Sequence, residues 1–285
     1  SEIRTLLKQE LPAQICGYPI DMACGSEGRV TMPGECRHAV VLTTVDAFFT
    51  TALQWNPSGP PSVVDWVTFP QQHLRSITEG AVFHDGLGAL RPIQTTLGRF
   101  PHDVWLYLLT AQWQRVSEEE HFMGRCGQVG DDLGSRWIAS RLVHDLMLLC
   151  FLLARIYAPY VKWFGTAFAQ LDCAPAMVPL LTGVLRADTW EERERYLSRA
   201  YRLVAQLHNA RQITQPLPVE VTPFHDRPFL VLHAERFAAA TYAEIKDPEV
   251  LALPPRLGSI DQWTDSTAVY NNLQRLDRFA FAYRT

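Results

Sequence analysis

The stretch from Gly124 to Trp163 constrains the fold more than any other part of this chain. It opens with spaced glycines and the pair Asp131-Asp132, runs through a long apolar segment, and ends in Tyr160, Lys162 and Trp163. Acidic side chains at a helix start favour the free N–H groups and the positive end of the macrodipole. Nothing after that pair breaks helical character until Ala158-Pro159, which predicts one helix of about 27 residues, roughly 40 Å long. From Leu146 to Ala154 every side chain is apolar, so protein must surround that part of the helix on all sides. The helix therefore belongs at the centre of a helical domain.

With 285 residues, 47% of them hydrophobic and 20% charged, the chain can supply those surroundings as one large or two ordinary domains. A net charge of -4 gives no overall attraction to polynucleotides, so the expected partner is a small molecule or free nucleotide rather than nucleic acid. The run Leu146–Ala154, flanked by His144-Asp145 and Arg155, falls short of the roughly 20 residues that span a bilayer. Ser1 to Glu10 carries Glu2, Arg4, Lys8 and Glu10 where a signal peptide would be apolar. The expected setting is cytoplasmic, with no membrane partner. Six cysteines without a CxxC pair read as reduced thiols, with Cys126, Cys150 and Cys173 isolated. Cys16, Cys24, Cys36 and His38 fall in one region, but gaps of seven and eleven residues are not zinc-module spacing, so no metal site is assigned.

Residues 1–90 read as mixed. A short helix is predicted over Ile3–Glu10, a loop over Gly17–Gly34, a β-rich run over His38–Thr44, a helix over Val45–Leu53 and a short strand over Gly80–Asp85. From Leu90 the period becomes helical, through about Glu120, then Phe164–Leu171, Ala176–Leu185, Trp190–Arg211, Ala234–Ile245 and Thr267–Ala280. The fold class is mainly α: a helical domain over 91–285 preceded by a small α+β portion over 1–90.

The ordered set Gly124-Arg125, Gly127, Val129-Gly130-Asp131, Leu133-Gly134-Ser135, then Leu146 to Phe168, resembles the bacterial family known as domain of unknown function 4037 (DUF4037). Phe100–Tyr107, Ala111–Trp113, His208-Asn209, Arg227-Pro228 and Gly258–Gln262 extend that resemblance over most of residues 60–270. It implies a nucleotidyltransferase-like protein, with an N-terminal α/β catalytic domain joined to a helical bundle, using Mg²⁺ and ATP or another NTP. Such proteins resemble one another in a Gly-Ser turn and an Asp-x-Asp pair, two carboxylates that hold Mg²⁺ against the transferred phosphoryl group. This sequence departs from that pattern. Gly25-Ser26 has no Asp-x-Asp after it, and the next acids are Glu27 and Glu35. The chain reads as a family member that starts after its catalytic motif.

Asp131 and Asp132 are the candidate catalytic pair, as general base or metal ligand, against the alternative that they cap the helix. Arg125, Arg136, Lys162 and Arg227 are candidates for gripping a triphosphate, with Tyr160 and Trp163 offering aromatic faces to a base. The glycines beside Asp131 would let backbone approach the phosphates. Arg141, His144, Asp145 and Arg155 share a stripe about 100° wide, in which Arg141 and Asp145 would pair at i,i+4. Arg202 and His208 match the spacing of helical ribonucleases but lie about 240° apart on a helix. Asp261–Trp263 reads as loop, followed by a cap at Thr264 or Ser266. The expected function is the substrate-side portion of a nucleotidyltransferase-like protein, passing a nucleotide from an NTP to a small acceptor when the catalytic half is present. A non-catalytic ligand-binding or interaction domain is the alternative, and a helical ribonuclease the third reading.

Overall fold

The computed structural model describes residues 2–12, 14–19, 40–264, 266–271 and 279–283. Two compact units divide at Phe48/Phe49. The first holds α1 (Glu2–Glu10), a two-stranded antiparallel hairpin of β1 (Gln14–Ile15) and β2 (Tyr18–Pro19), and the start of α2 (Val45–Leu53). Residues 40–44 are not a strand, which corrects the β-rich run expected there, and residues 38 and 39 lie outside the described residues. So do Cys24, Cys36 and the Gly25-Ser26 turn.

The second unit is mainly α, as expected. Its helices are α3 (Val63–Thr68), α4 (Gln71–Thr78), α5 (Leu90–Leu97), α6 (His102–Glu119), α7 (Phe122–Gln128), α8 (Asp132–Ala154), α9 (Phe164–Phe168), α10 (Ala174–Arg186) and α11 (Trp190–Ala210). A small antiparallel pair, β3 (Thr222–Pro223) and β4 (Leu230–Val231), precedes α12 (Glu235–Ala243), α13 (Pro248–Leu251), α14 (Ile260–Trp263) and α15 (Thr267–Asn271). The final predicted helix is described only over α15 and the short 3-10 turn Ala280–Tyr283.

Helix α8 is the hub: α6, α7, α10 and α11 all pack on it. Leu146, Leu149 and Phe151 are fully buried, as an apolar circumference requires. The whole helix, unlike its nine-residue run alone, reaches the length and hydropathy of a membrane span, with 67% of its most apolar window buried by protein. It ends four residues before Ala158, because Arg155 turns left-handed at φ 56° and closes the last turn. The next backbone groups then find tertiary partners. Ala158 N donates to Gln71 Oε1 at 3.0 Å, and Tyr157 O accepts from Arg75 Nη1 at 3.0 Å. Ala158 also precedes a proline, which disfavours helical backbone.

Three more expectations are corrected. Residues 80–85 form no strand: Asp85 accepts backbone N–H bonds from Ala89, Leu90 and Arg91, so the segment is a loop that caps α5. Those bonds, Arg91's first, hold the Asp85 carboxyl below the usual range. Asp261–Trp263 is helical, started by a capping box between Ser259 and Gln262. Gly124 and Gly127 lie within α7, where a Cβ would meet Phe229 at 2.5 Å and Trp190 at 2.1 Å. They make room for aromatic side chains rather than a phosphate.

Buried polar groups tie the helices together. Gln112 Nε2 donates to Asp145 Oδ1, and Gln262 Nε2 donates to Gln112 Oε1, both at 3.1 Å, linking α6, α8 and α14. Glu120 accepts from Leu232 N at 2.6 Å and Ala234 N at 2.9 Å, and burial pushes its pKa up to about 7. Cys150 and Cys173, isolated in sequence, are close enough to act on each other, which raises the Cys150 thiol pKa and lowers that of Cys173.

Candidate functional site

The cleft is built by α4 on one side and the chain leaving α8 on the other. Ser62 and Asp65 form a capping box that starts α3, and Pro70 separates α3 from α4 by removing a donor and fixing its backbone. Leu74 and Ile77 face the core, which turns Gln72, His73 and Arg75 towards the opposite surface. Gln71 fixes the angle between the walls. Its N–H donates to Asp261 Oδ2 at 3.1 Å, and its side chain holds Ala158 N. Beyond Pro159 a 3-10 turn, Val161–Trp163, presents Tyr160, Lys162 and Trp163.

These walls enclose about 930 Å³, within the range of ligand sites. Arg75 is neutralised by Glu79, Nε to Oε2 2.9 Å. Lys162 forms no ion pair among the described residues. Its Nζ lies 5.2 Å from the ring centroid of Trp163, which is 56% exposed. A charge, an exposed indole and the Tyr160 phenol therefore border one space. His73 Nε2 lies 3.0 Å from Tyr270 O, and burial lowers its pKa. A smaller cavity of about 90 Å³ adjoins at Gln72 and Tyr160 and reaches Asp261. Although Asp261 keeps some exposure as a residue, its carboxylate is withdrawn from water, which raises its pKa to about 7.

The candidate residues do not all meet there. Tyr160, Lys162 and Trp163 line the cleft, whereas Arg125, Arg136 and Arg227 line neither cavity. Arg136 bonds Asp132 at 2.7 Å, and Arg227 lies 3.6 Å from its neighbour Asp226. Asp131 caps α8 by accepting from Gly134 N at 2.8 Å. Asp132 bonds Arg136 and Arg193, which hold its carboxyl below the usual range. The pair thus meets the needs of the helix start, and no group of three metal-ligating side chains occurs among the described residues. Asp131 and Asp132 are thereby committed to the helix start and to two arginines and do not together fit a Mg²⁺ site.

The expected Arg141–Asp145 pair gives way to bonds between helices. Arg141 binds Glu119, and Asp145 pairs with Arg115 at 3.1 Å. Against the penalty of burial, the neighbouring His144 and Arg115 hold Asp145 below the usual carboxylate value. His208 is buried, accepting at Nδ1 from Trp113 Nε1 at 3.2 Å, while Arg202 is exposed on the same helix. The α4 residues Gln72, His73 and Arg75 were missed from the sequence. Their one local signal is the polar run Gln71-Gln72-His73 directly after Pro70.

All of the α4 wall, and the opposite wall as far as Trp163, fall inside a single family match. Residues 66–164 match the domain of unknown function DUF4037. The resemblance read from the sequence holds over this stretch. The DUF4037 match begins on α3 and ends one residue beyond Trp163, so it carries α4, the whole of α8 and the turn that bears Lys162. No curated protein and no solved structure matches the chain.

Proposed function

We propose that the helical unit is the substrate-side portion of a nucleotidyltransferase-like protein and that its cleft holds a nucleotide. The observation that carries this reading is the cleft itself: Lys162, without an acidic partner among the described residues, stands by the exposed indole of Trp163 in a space of about 930 Å³. An ammonium is a point charge suited to phosphate, and an exposed indole is a face for a base. Transfer to a small acceptor would need carboxylates for Mg²⁺ from outside the described residues. With Asp131 and Asp132 away from the cleft, nucleotide binding here needs no metal to offset their charge. A non-catalytic ligand-binding domain would use the same cleft, and the commitment of Asp131 and Asp132 to the start of α8 favours it.

Calorimetry with ATP, with and without Mg²⁺, tests the reading on the wild type and Lys162→Ala. Lys162 is exposed, so the substitution leaves the fold intact. We expect affinity to fall by roughly tenfold, the scale of one charge-assisted hydrogen bond. Equal affinity in the two proteins, or no binding by either, overturns the nucleotide reading.

A further inference from the structure

A second cavity, of about 670 Å³, shares no lining residue with the cleft. Arg99, Arg155 and Arg211 line it together with His102, and among the described residues no acidic side chain does. The three arginines come from the C-terminal ends of three helices. Arg155 is the C-cap of α8, Arg211 the C-cap of α11, and Arg99 follows the C-cap of α5. We infer that this cavity is a binding site for a phosphorylated anion, one carrying at least two negative charges, such as a di- or triphosphate group.

The charge balance supports this. Each helix C-terminus supplies about half a negative charge, so three such ends offset about half of three guanidinium groups. The remainder has no protein partner: among the described residues Arg99, Arg155 and Arg211 form no ion pair. Hydrogen bonding is equally incomplete. Arg155 Nη2 donates to Phe100 O at 2.9 Å, but its Nε is buried without a partner. The side chains of Arg99 and Arg211 make no hydrogen bond within the described residues. Burial and the like charge of Arg99 both lower the pKa of Arg155, the first more than the second.

The cavity is also shaped for binding. Arg155 is held in place by the Trp105 ring, 4.4 Å from its guanidinium carbon, and Trp105 is fixed in turn by its Nε1 donating to Leu152 O at 2.7 Å. One guanidinium is thus preorganised, while the exposed Arg99 and Arg211 are free to close on a ligand. Guanidinium forks match phosphate oxygens in pairs, and three of them suit a ligand with more than one phosphoryl group.

The test is calorimetry with inorganic pyrophosphate, and with inorganic phosphate for comparison, on the full chain, on R99Q/R211Q and on Lys162→Ala. We expect the wild type to bind pyrophosphate more tightly than phosphate. The double variant should lose this site, with at least about a tenfold fall in its affinity, whereas Lys162→Ala, which lacks only the cleft's ammonium, should retain it. Arg99 and Arg211 are exposed, so the double variant should melt as the wild type does. Should it not, dicarbonyl labelling of the wild type followed by mass spectrometry gives an independent readout: pyrophosphate should protect Arg99, Arg155 and Arg211 together. No binding, equal binding by the double variant, or loss only in Lys162→Ala overturns the inference. The last outcome places the anion in the cleft and leaves the nucleotide reading standing.

Discussion

Gly127 lacks a side chain at the point where Trp190 crosses α7, and a Cβ there would lie 2.1 Å from the ring carbon Cγ. Trp190 opens α11, so this contact sets how closely α7 and α11 approach. Gly127→Ala should therefore destabilise the protein by about 1–3 kcal/mol, the range for overpacking, although alanine is the better helix former. Gly165 is the matching control, a helical glycine with open space around its would-be Cβ. Gly165→Ala should be neutral or slightly stabilising. Urea denaturation of both variants measures the difference, and equal stability would mean that α7 is free to shift away from Trp190.

At the scale of elements, α8 decides the packing of the unit. It spans 23 residues, about 34 Å. Leu149 is fully buried in its apolar C-terminal half, and α6 and α11 pack on the helix. Leu149→Asp puts a carboxylate there without a partner, which should cost more than about 4 kcal/mol and unfold the helical unit. A soluble variant with an unchanged melting temperature would show that this part of the helix is not interior. The ends of α8 obey different rules from its middle. Asp131 starts it through a local bond, legible from the sequence, whereas its stop is a left-handed Arg155, with no glycine to announce it. The chain just beyond is held by Gln71 and Arg75, about eighty residues earlier, and such distant partners leave little trace in the local sequence.

Across the whole unit, one buried histidine reports on the assembly of three helices. His208 on α11 accepts from the Trp113 indole on α6 and packs edge-on against Phe237 of α12. A proton on Nδ1 would oppose the indole N–H, and burial lowers the His208 pKa from 6.5 to about 4. The unfolded chain therefore takes up this proton at higher pH than the folded one. The stabilisation from keeping His208 neutral is fully present above about pH 6.5 and is lost as the pH falls towards 4, about 3 kcal/mol in all. NMR titration should find the His208 imidazole neutral at pH 5.5. A midpoint near 6.5 would mean that α6, α11 and α12 do not close around it.

The sequence by itself determined what depends on neighbours along the chain. The all-round apolar run of α8, the acidic start at Asp131 and the period of α6 and α11 each follow from residues within a few turns of one another, and each is present. The aromatic and basic turn that borders the cleft was legible for the same reason, because Tyr160, Lys162 and Trp163 are adjacent. Tertiary structure decided the rest. Only packing shows that the helix glycines receive aromatic side chains, or that Asp132 is engaged by Arg193 from α11. The opposite wall of the cleft comes from α4, whose residues carry no chemical motif. The three arginines of the second cavity stand at positions 99, 155 and 211, and the ends of α5, α8 and α11 bring them together. Local bonds choose the elements; which side chains share a space is set by long-range burial of apolar faces, and no short window of sequence encodes that.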